Sequence, residues 1–182
     1  MEKTQARKTA KQRLLDMTLT EKKLADKVIC DKLVESGKLR GNVCVYNSLT
    51  EEVDTSRLVE KALLACENVF LPVVVGDVLQ CVKIDKNTAF RRGQWGIYEP
   101  IGERIDAEKL QIDLCITPLV AFDRQLNRVG KGKGFYDRFF ASCECHKVGL
   151  AYSCQEIDTI DADNLDKKLD IIITEKEMIK AF

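Results

Sequence analysis

Leu114-Cys-Ile-Thr-Pro118, then Leu119-Val-Ala-Phe-Asp123, leads to Arg128-Val-Gly-Lys-Gly-Lys-Gly-Phe-Tyr-Asp137. The order is a buried apolar strand, a rigid proline turn and a glycine loop, which is how α/β proteins present ligands. Gly130, Gly132 and Gly134 alternate with Lys131 and Lys133. Without side chains at every second position, backbone N–H groups can turn toward one point and form an anion-binding nest. Lys131 and Lys133 add mobile ammonium charges, and Arg128 offers a bidentate fork. Phe135 to Ala141 reads as a helix, so the anion would lie at a helix N-terminus. Polyphosphate is the ligand this suits, with Asp137 placed for a bridging metal. The loop matches neither the Walker A spacing nor the dinucleotide Gly-x-Gly-x-x-Gly spacing. A solvated basic turn is the competing reading of the loop taken alone.

Working outward, short apolar strands alternate with helical patterns. Residues 2–17 read as a helix, with Ala6, Ala10 and Leu14 spaced by four. Thr18-Leu-Thr-Glu21 fits a capping box that opens a second helix, which Gly37 would stop. Strands are expected at 42–46, at 69–75 with Pro72 at its end or on an edge, at 78–84, and near 113–117, 147–151 and 170–174. Asp54 can cap a helix running to about Cys66, and 86–112 reads as mostly loop. The pattern predicts one α/β domain over 1–182, with a largely parallel, mixed, Rossmann-like sheet and helices on both faces. Ligands in such folds sit beyond the C-terminal ends of the strands. That rule groups the loops after Tyr46, Val75 and Pro118 with the segment near Asp166.

The 182 residues are 45% hydrophobic and 32% charged, which describes a globular chain. Lys plus Arg and Asp plus Glu number 29 each, a balance that argues against a general nucleic-acid binder. The charged start predicts no signal peptide, and no apolar run approaches a membrane span. The eight cysteines then read as reduced thiols in a cytoplasmic protein. Cys143-x-Cys145-His146 raises a zinc reading, weakened by the absence of a second ligand pair at finger spacing. His146 is the only histidine, so histidine-assisted nucleophilic catalysis has one poor candidate.

Pro118-Leu-Val-Ala-Phe-Asp123 with Asn127-Arg-Val-Gly-Lys-Gly-Lys-Gly-Phe-Tyr-Asp137 closely resembles the signature of the 5-formyltetrahydrofolate cyclo-ligases, also called methenyltetrahydrofolate synthetases. The resemblance covers almost the whole chain. Lys3-x-x-x-Arg7 is similar to that family's N-terminal basic pair, and Asn47-Ser-Leu-Thr-Glu-Glu52-Val-Asp-Thr55 to its strand-end substrate segment. Trp95-Gly-Ile-Tyr-Glu-Pro100 resembles its second substrate segment, and Asp166-Lys-Lys-Leu-Asp170 its terminal acidic element.

The resemblance implies ATP as co-substrate, Mg²⁺ as metal and a folate as substrate, in a soluble, cytoplasmic monomer that binds neither nucleic acid nor membrane. ATP would phosphorylate the formyl oxygen of 5-formyltetrahydrofolate, and N10 would close the ring as phosphate leaves. The substrate brings its own nucleophile, so no catalytic Ser, Cys or His is needed. By resemblance, ATP meets Lys3, Arg7 and the run Arg128, Val129, Gly130, Lys131, Gly132, Lys133, Gly134, Phe135 and Tyr136. Lys133, Lys131, Arg128 and Tyr136 would carry the catalytic work, with Lys133 foremost in stabilising the transferred phosphoryl group. The folate would meet Asn47, Glu52, Trp95, Tyr98 and Glu99, together with Lys131, Gly132, Lys133, Gly134 and Phe135. Asp137 and Asp166 would hold Mg²⁺, with Asp170 a strand-start or supporting residue. Trp95 would stack on the pterin or pack in the core. Family members often carry two tyrosines where this chain has Phe135-Tyr136, so only a ring-stacking role passes to Phe135. The rival readings are a non-catalytic relative that binds a nucleotide or RNA, and a kinase for another carboxylate or amide. Zero net charge, Glu52, Asp137 and Asp166 speak against the first.

Overall fold

The computed structural model describes residues 1–93 and 96–181. Its centre is one eight-stranded sheet in the order β12-β11-β10-β7-β1-β2-β3-β6. The strands are β1 (Asn42–Val45), β2 (Asn68–Val75), β3 (Val78–Ile84), β6 (Arg104–Asp106), β7 (Leu114–Pro118), β10 (His146–Leu150), β11 (Ile171–Ile173) and β12 (Met178–Lys180). β11, β10, β7, β1 and β2 run parallel, and β3 and β12 pair antiparallel to β2 and β11. Two small antiparallel pairs lie outside it: β4 (Phe90–Arg92) with β5 (Tyr98–Pro100), and β8 (Ala121–Phe122) with β9 (Arg128–Val129). The helices are α1 (Lys3–Leu15), α2 (Leu19–Glu35), α3 (Ser56–Ala65) and α4 (Phe135–Ser142).

The period of two along each strand sorts the core. Val43, Val45, Leu114 and Ile116 face one side, where Ile29 and Leu33 of α2 and Leu58 and Ala62 of α3 close over them. Cys44 and Cys115, one residue out of phase, face the other side, under Phe139 and Phe140 of α4. Small thiols on that face leave room for the two rings, which meet edge to face at 5.7 Å. The expected mixed sheet with helices on both faces is therefore present.

Local signals mostly act as read. Thr18 and Glu21 form a reciprocal capping box, a device worth about 1 kcal/mol. The Asp54 carboxylate accepts the Ser56 N–H at 2.9 Å from one residue before the cap position, which Thr55 occupies. Pro72 neither ends its strand nor lies on an edge strand. β2 runs through it to Val75 against β3, while β1 pairs only as far as Phe70, so the missing N–H faces no β1 partner. The 86–112 stretch holds three short strands where loop was expected. β3 gives β6 a sheet edge to extend, and the β4–β5 pair folds on itself.

α1 reaches the ligand end of the sheet because it is narrow. Ala6 and Ala10 are buried against Ala121 and Val129 of the β8–β9 pair and against Ile157 and Ile160. Methyl-sized contacts bring the helix close, and this places Arg7 on the glycine loop and Lys3 beside Asp163 and Asp166. The chain departs from β1 toward β2 and from β7 toward β10, on opposite sides. The loops after β1 and β7 thus diverge at a topological switch point, where open α/β sheets bind ligands.

Candidate active site

The glycine loop is fixed from both sides by arginines. Arg7 donates from Nε to the Gly130 carbonyl at 2.7 Å, and Arg138 donates to the Lys133 carbonyl at 2.7 Å and to the Asp77 carbonyl at 2.6 Å. Gly132 and Gly134 have φ of +94° and +66°, the left-handed region that glycine enters without a Cβ penalty. Both contacts consume carbonyls. Among the described residues, no acceptor is hydrogen-bonded to the N–H groups of Lys131, Gly132, Lys133 or Gly134. The loop thus offers donors at the start of α4, while the carbonyls of Gly130 and Lys133 are engaged elsewhere, an arrangement that suits an anion.

Lys131 crosses to the loop after β1. Its Nζ lies 2.9 Å from Glu51 and 3.0 Å from Glu52. Burial works against the ammonium, but the Glu51 hydrogen bond and the Glu52 charge outweigh it and hold the Lys131 pKa above the ordinary lysine value. Burial likewise raises Glu51, and the Lys131 hydrogen bond reverses this to leave its carboxyl below the usual range. Glu52 is only 9% exposed and also accepts the Leu49 N–H at 2.9 Å. Lys133 is exposed and makes no ion pair among the described residues. It is the cation of the loop still free to meet a phosphate.

The second candidate substrate segment adjoins this point. Asn47 donates to the Tyr98 carbonyl at 2.7 Å, tying the loop after β1 to β5. Tyr98 is exposed, and the largely covered Glu99 carboxylate lies beside Gly93 with Arg91 at 3.9 Å. Trp95, expected to stack or pack, lies outside the described residues.

Arg128 is not in the place foreseen for a phosphate fork. Its side chain is 4% exposed, pairs with Asp137 at 2.8 Å, and lies 5.7 Å from the ring centres of both Tyr136 and Phe140. Its Nε is buried with no partner among the described residues. Val129 is buried, so only its backbone faces the loop, and burial holds the Tyr136 hydroxyl well above its usual pKa. Phe135 lies under the Arg138 guanidinium at 5.5 Å.

The two candidate metal carboxylates come near each other. The Lys167 N–H donates to Asp137 at 3.2 Å, which sets the adjoining Asp166 beside the start of α4. Asp166 meets Lys3 at 2.5 Å and accepts the Asp163 N–H at 2.7 Å. Burial lowers the Lys3 pKa, but hydrogen bonds to Asp163 and Asp166 more than restore it. Each aspartate thus has a cation beside it. Two carboxylates of this kind suit Mg²⁺, which commonly takes one or two and completes its shell with phosphate and water. Asp170 accepts the Lys147 N–H at 2.7 Å at the opposite, N-terminal end of β10, so it ties strands together. His146 Nδ1 lies 3.4 Å from Asp170, and no group of three His, Cys, Asp or Glu among the described residues is placed to hold a metal.

Sequence reasoning missed Glu51, Arg138 and Asp163. The i, i+4 spacing of Gly134 and Arg138 was the available signal, since it returns the guanidinium to the loop.

Comparison with known proteins shows the family. Residues 1–175 match the 5-formyltetrahydrofolate cyclo-ligase family. A Schizosaccharomyces pombe protein named as a probable 5-formyltetrahydrofolate cyclo-ligase is 33% identical, over 87% of this chain and 91% of that one. The solved structure of Aquifex aeolicus 5,10-methenyltetrahydrofolate synthetase is similar with a TM-score of 0.84 and 29% identity, over 98% of this chain and 92% of that one. That of a Mycoplasma pneumoniae 5,10-methenyltetrahydrofolate synthetase is similar with a TM-score of 0.75 and 27% identity, over 96% and 99%. Among the described residues, no helix is long and apolar enough to cross a membrane.

Proposed function

The chain belongs to the 5-formyltetrahydrofolate cyclo-ligase family, and from that premise we propose that it converts 5-formyltetrahydrofolate and ATP to 5,10-methenyltetrahydrofolate, ADP and phosphate. The observation that carries the ATP half is the loop whose Gly130 and Lys133 carbonyls are taken by Arg7 and Arg138, while the N–H groups from Lys131 to Gly134 have no acceptor among the described residues. A nucleophile or acid–base pair is not required of the protein. The formyl oxygen takes the terminal phosphoryl group, N10 attacks the activated carbon and gives up its proton to the departing phosphate or to water, and the C–O bond breaks with loss of phosphate. The protein's contribution is position and charge.

Lys133 meets the charge that builds on the transferred phosphoryl group, and the N–H groups of the loop hold the phosphates behind it. Lys131 lies between phosphate and folate, because its present partners Glu51 and Glu52 belong to the folate side. Glu52 accepts two N–H groups of the pterin, and Asn47 holds the Tyr98 segment against it. Arg128 acts on the phosphates indirectly, by fixing Asp137 in the first turn of α4. Mg²⁺ would be held by Asp137 and Asp166, and it neutralises polyphosphate charge that two carboxylates would otherwise repel.

The test follows methenyl absorbance and ADP together. Both are expected to rise in equal amounts, and only when 5-formyltetrahydrofolate and ATP are both present. ADP release at the same rate without folate, with no methenyl product, would overturn the assignment and leave a kinase or a nucleotide-binding relative.

A further inference from the structure

A cleft of about 440 Å³ opens between the end of β2 and the β4–β5 pair, lined by Arg91, Arg92, Arg104, Gly93, Glu99 and Val74. Among the described residues, the arginines outside the cleft are engaged, with the exception of Arg40. Arg7, Arg13, Arg57, Arg124, Arg128 and Arg138 each bond a carboxylate or a carbonyl. Arg92 and Arg104 are exposed and bond none among the described residues, and Arg91 has only the 3.9 Å contact with Glu99. Three guanidinium groups thus share a concave site with one carboxylate. Arg91 pairs across from Glu99, and Arg104 from Val82.

The position gives the ligand. Glu99 lines the cleft, and the carbonyl of the adjoining Tyr98 accepts the Asn47 side chain, which joins this strand to the loop that carries Glu52. A folate whose pterin lies at Glu52 must run its aminobenzoyl arm outward along this rim and end in a glutamate. That end bears two carboxylates, and guanidinium groups bind carboxylates in bidentate pairs. We propose that Arg91, Arg92 and Arg104 form the subsite for the carboxylates of the folate's glutamate end. Glu99 belongs to the same device. Its carboxylate lies 3.9 Å from Arg91 and so keeps that guanidinium group on the cleft.

This inference rests on the folate reading of the site, so the test has two separate readouts. The first compares turnover of 5-formyltetrahydrofolate with that of 5-formyltetrahydropteroate, which lacks the glutamate. Arg92→Ala and Arg104→Ala are expected to raise KM for the former about three- to tenfold each, the scale of a partly exposed charge-assisted pair. They should leave KM for the pteroate compound unchanged. Arg→Lys at either position should recover part of the loss, because the charge remains and the fork does not. Equal KM changes for both compounds, or none for either, would overturn the subsite. The second readout titrates p-aminobenzoylglutamate alone against the full chain and follows guanidinium NMR signals. Shifts at Arg91, Arg92 and Arg104, lost at high salt, are expected. Failure of wild-type turnover with such shifts retained would reject the folate cyclisation and keep the carboxylate site. Absence of shifts, with turnover intact, would reject the site and keep the reaction.

Discussion

The glycine loop and the β4–β5 pair flank the same rim of the sheet, yet they are held in opposite ways. Helices α1 and α4 each send an arginine to a carbonyl of the loop, and Lys131 is drawn to two glutamates. The β4–β5 pair depends on its own ladder and on Asn47, and its arginines have almost no partners. The difference matches what each would do. Stabilising a transferring phosphoryl group demands donors that need not reorganise during the reaction. Capturing the far end of a substrate needs charge and reach, and it tolerates arginines that settle only when the ligand arrives.

The sharpest break of this contrast is at Lys133. Lys133→Ala is expected to lower kcat by roughly a hundredfold, as loss of one positioned transition-state charge does. Lys131→Ala should cost less and act partly through KM for ATP. Circular dichroism should show an unaltered fold, because the Lys133 side chain is exposed and unpaired among the described residues. Wild-type turnover in Lys133→Ala would show that the loop binds without stabilising.

Asp137 and Asp166 separate structure from metal. Both Asp137→Asn and Asp166→Asn should raise the Mg²⁺ concentration for half-maximal rate, read by titration of initial rates. Asp137→Asn should in addition lower Tm by roughly 3–10 °C. It strips the counter-ion from a buried guanidinium, a loss of about 1–3 kcal/mol at a half-exposed partner, in a chain where each kcal/mol shifts Tm by about 2–4 °C. Asp166→Asn should leave Tm within a degree or two. Identical thermal and Mg²⁺ behaviour of the two variants would contradict the distinct roles that the Arg128 and Lys3 pairs give them.

The smallest effects sharpen the comparison. Arg7→Ala should raise KM for ATP about threefold to tenfold, by freeing one side of the loop, and leave KM for folate alone. Asn47→Ala should do the reverse. If each moved both constants equally, the two regions would be one mechanical unit rather than two.

Where a signal was local, the sequence carried it. Thr18 and Glu21 announce the start of α2, and the apolar run into the glycine loop announces β7, the switch point and α4. The candidate residues Arg7, Asn47, Glu52, Lys131, Asp137 and Asp166 are linked by contacts between the loops they sit on. What the sequence hid was tertiary. Two-residue strands such as β8 and β9 carry no period, and Met178–Lys180 is too short to distinguish from a tail. Arg128 looked like a phosphate ligand because nothing nearby in sequence shows that α4 turns Asp137 back onto it. Buried Asp123 gave no hint that it accepts the N–H groups of Gln125, Asn127 and Ile160 and so ties two distant loops together.

Gly132 adds a consequence for how this chain can vary. A methyl group built there would come within 3.3 Å of the Arg7 guanidinium, which itself reaches the neighbouring Gly130 carbonyl across 123 positions of sequence. The first helix and the glycine loop are therefore a lock with two keys. Gly132→Ala would crowd the Arg7 guanidinium besides straining its own backbone, so its cost should fall once Arg7 is already alanine. A double-mutant cycle on this pair should thus be non-additive, with the second change cheaper than the first. Substitutions in one segment select which residues the other can accept.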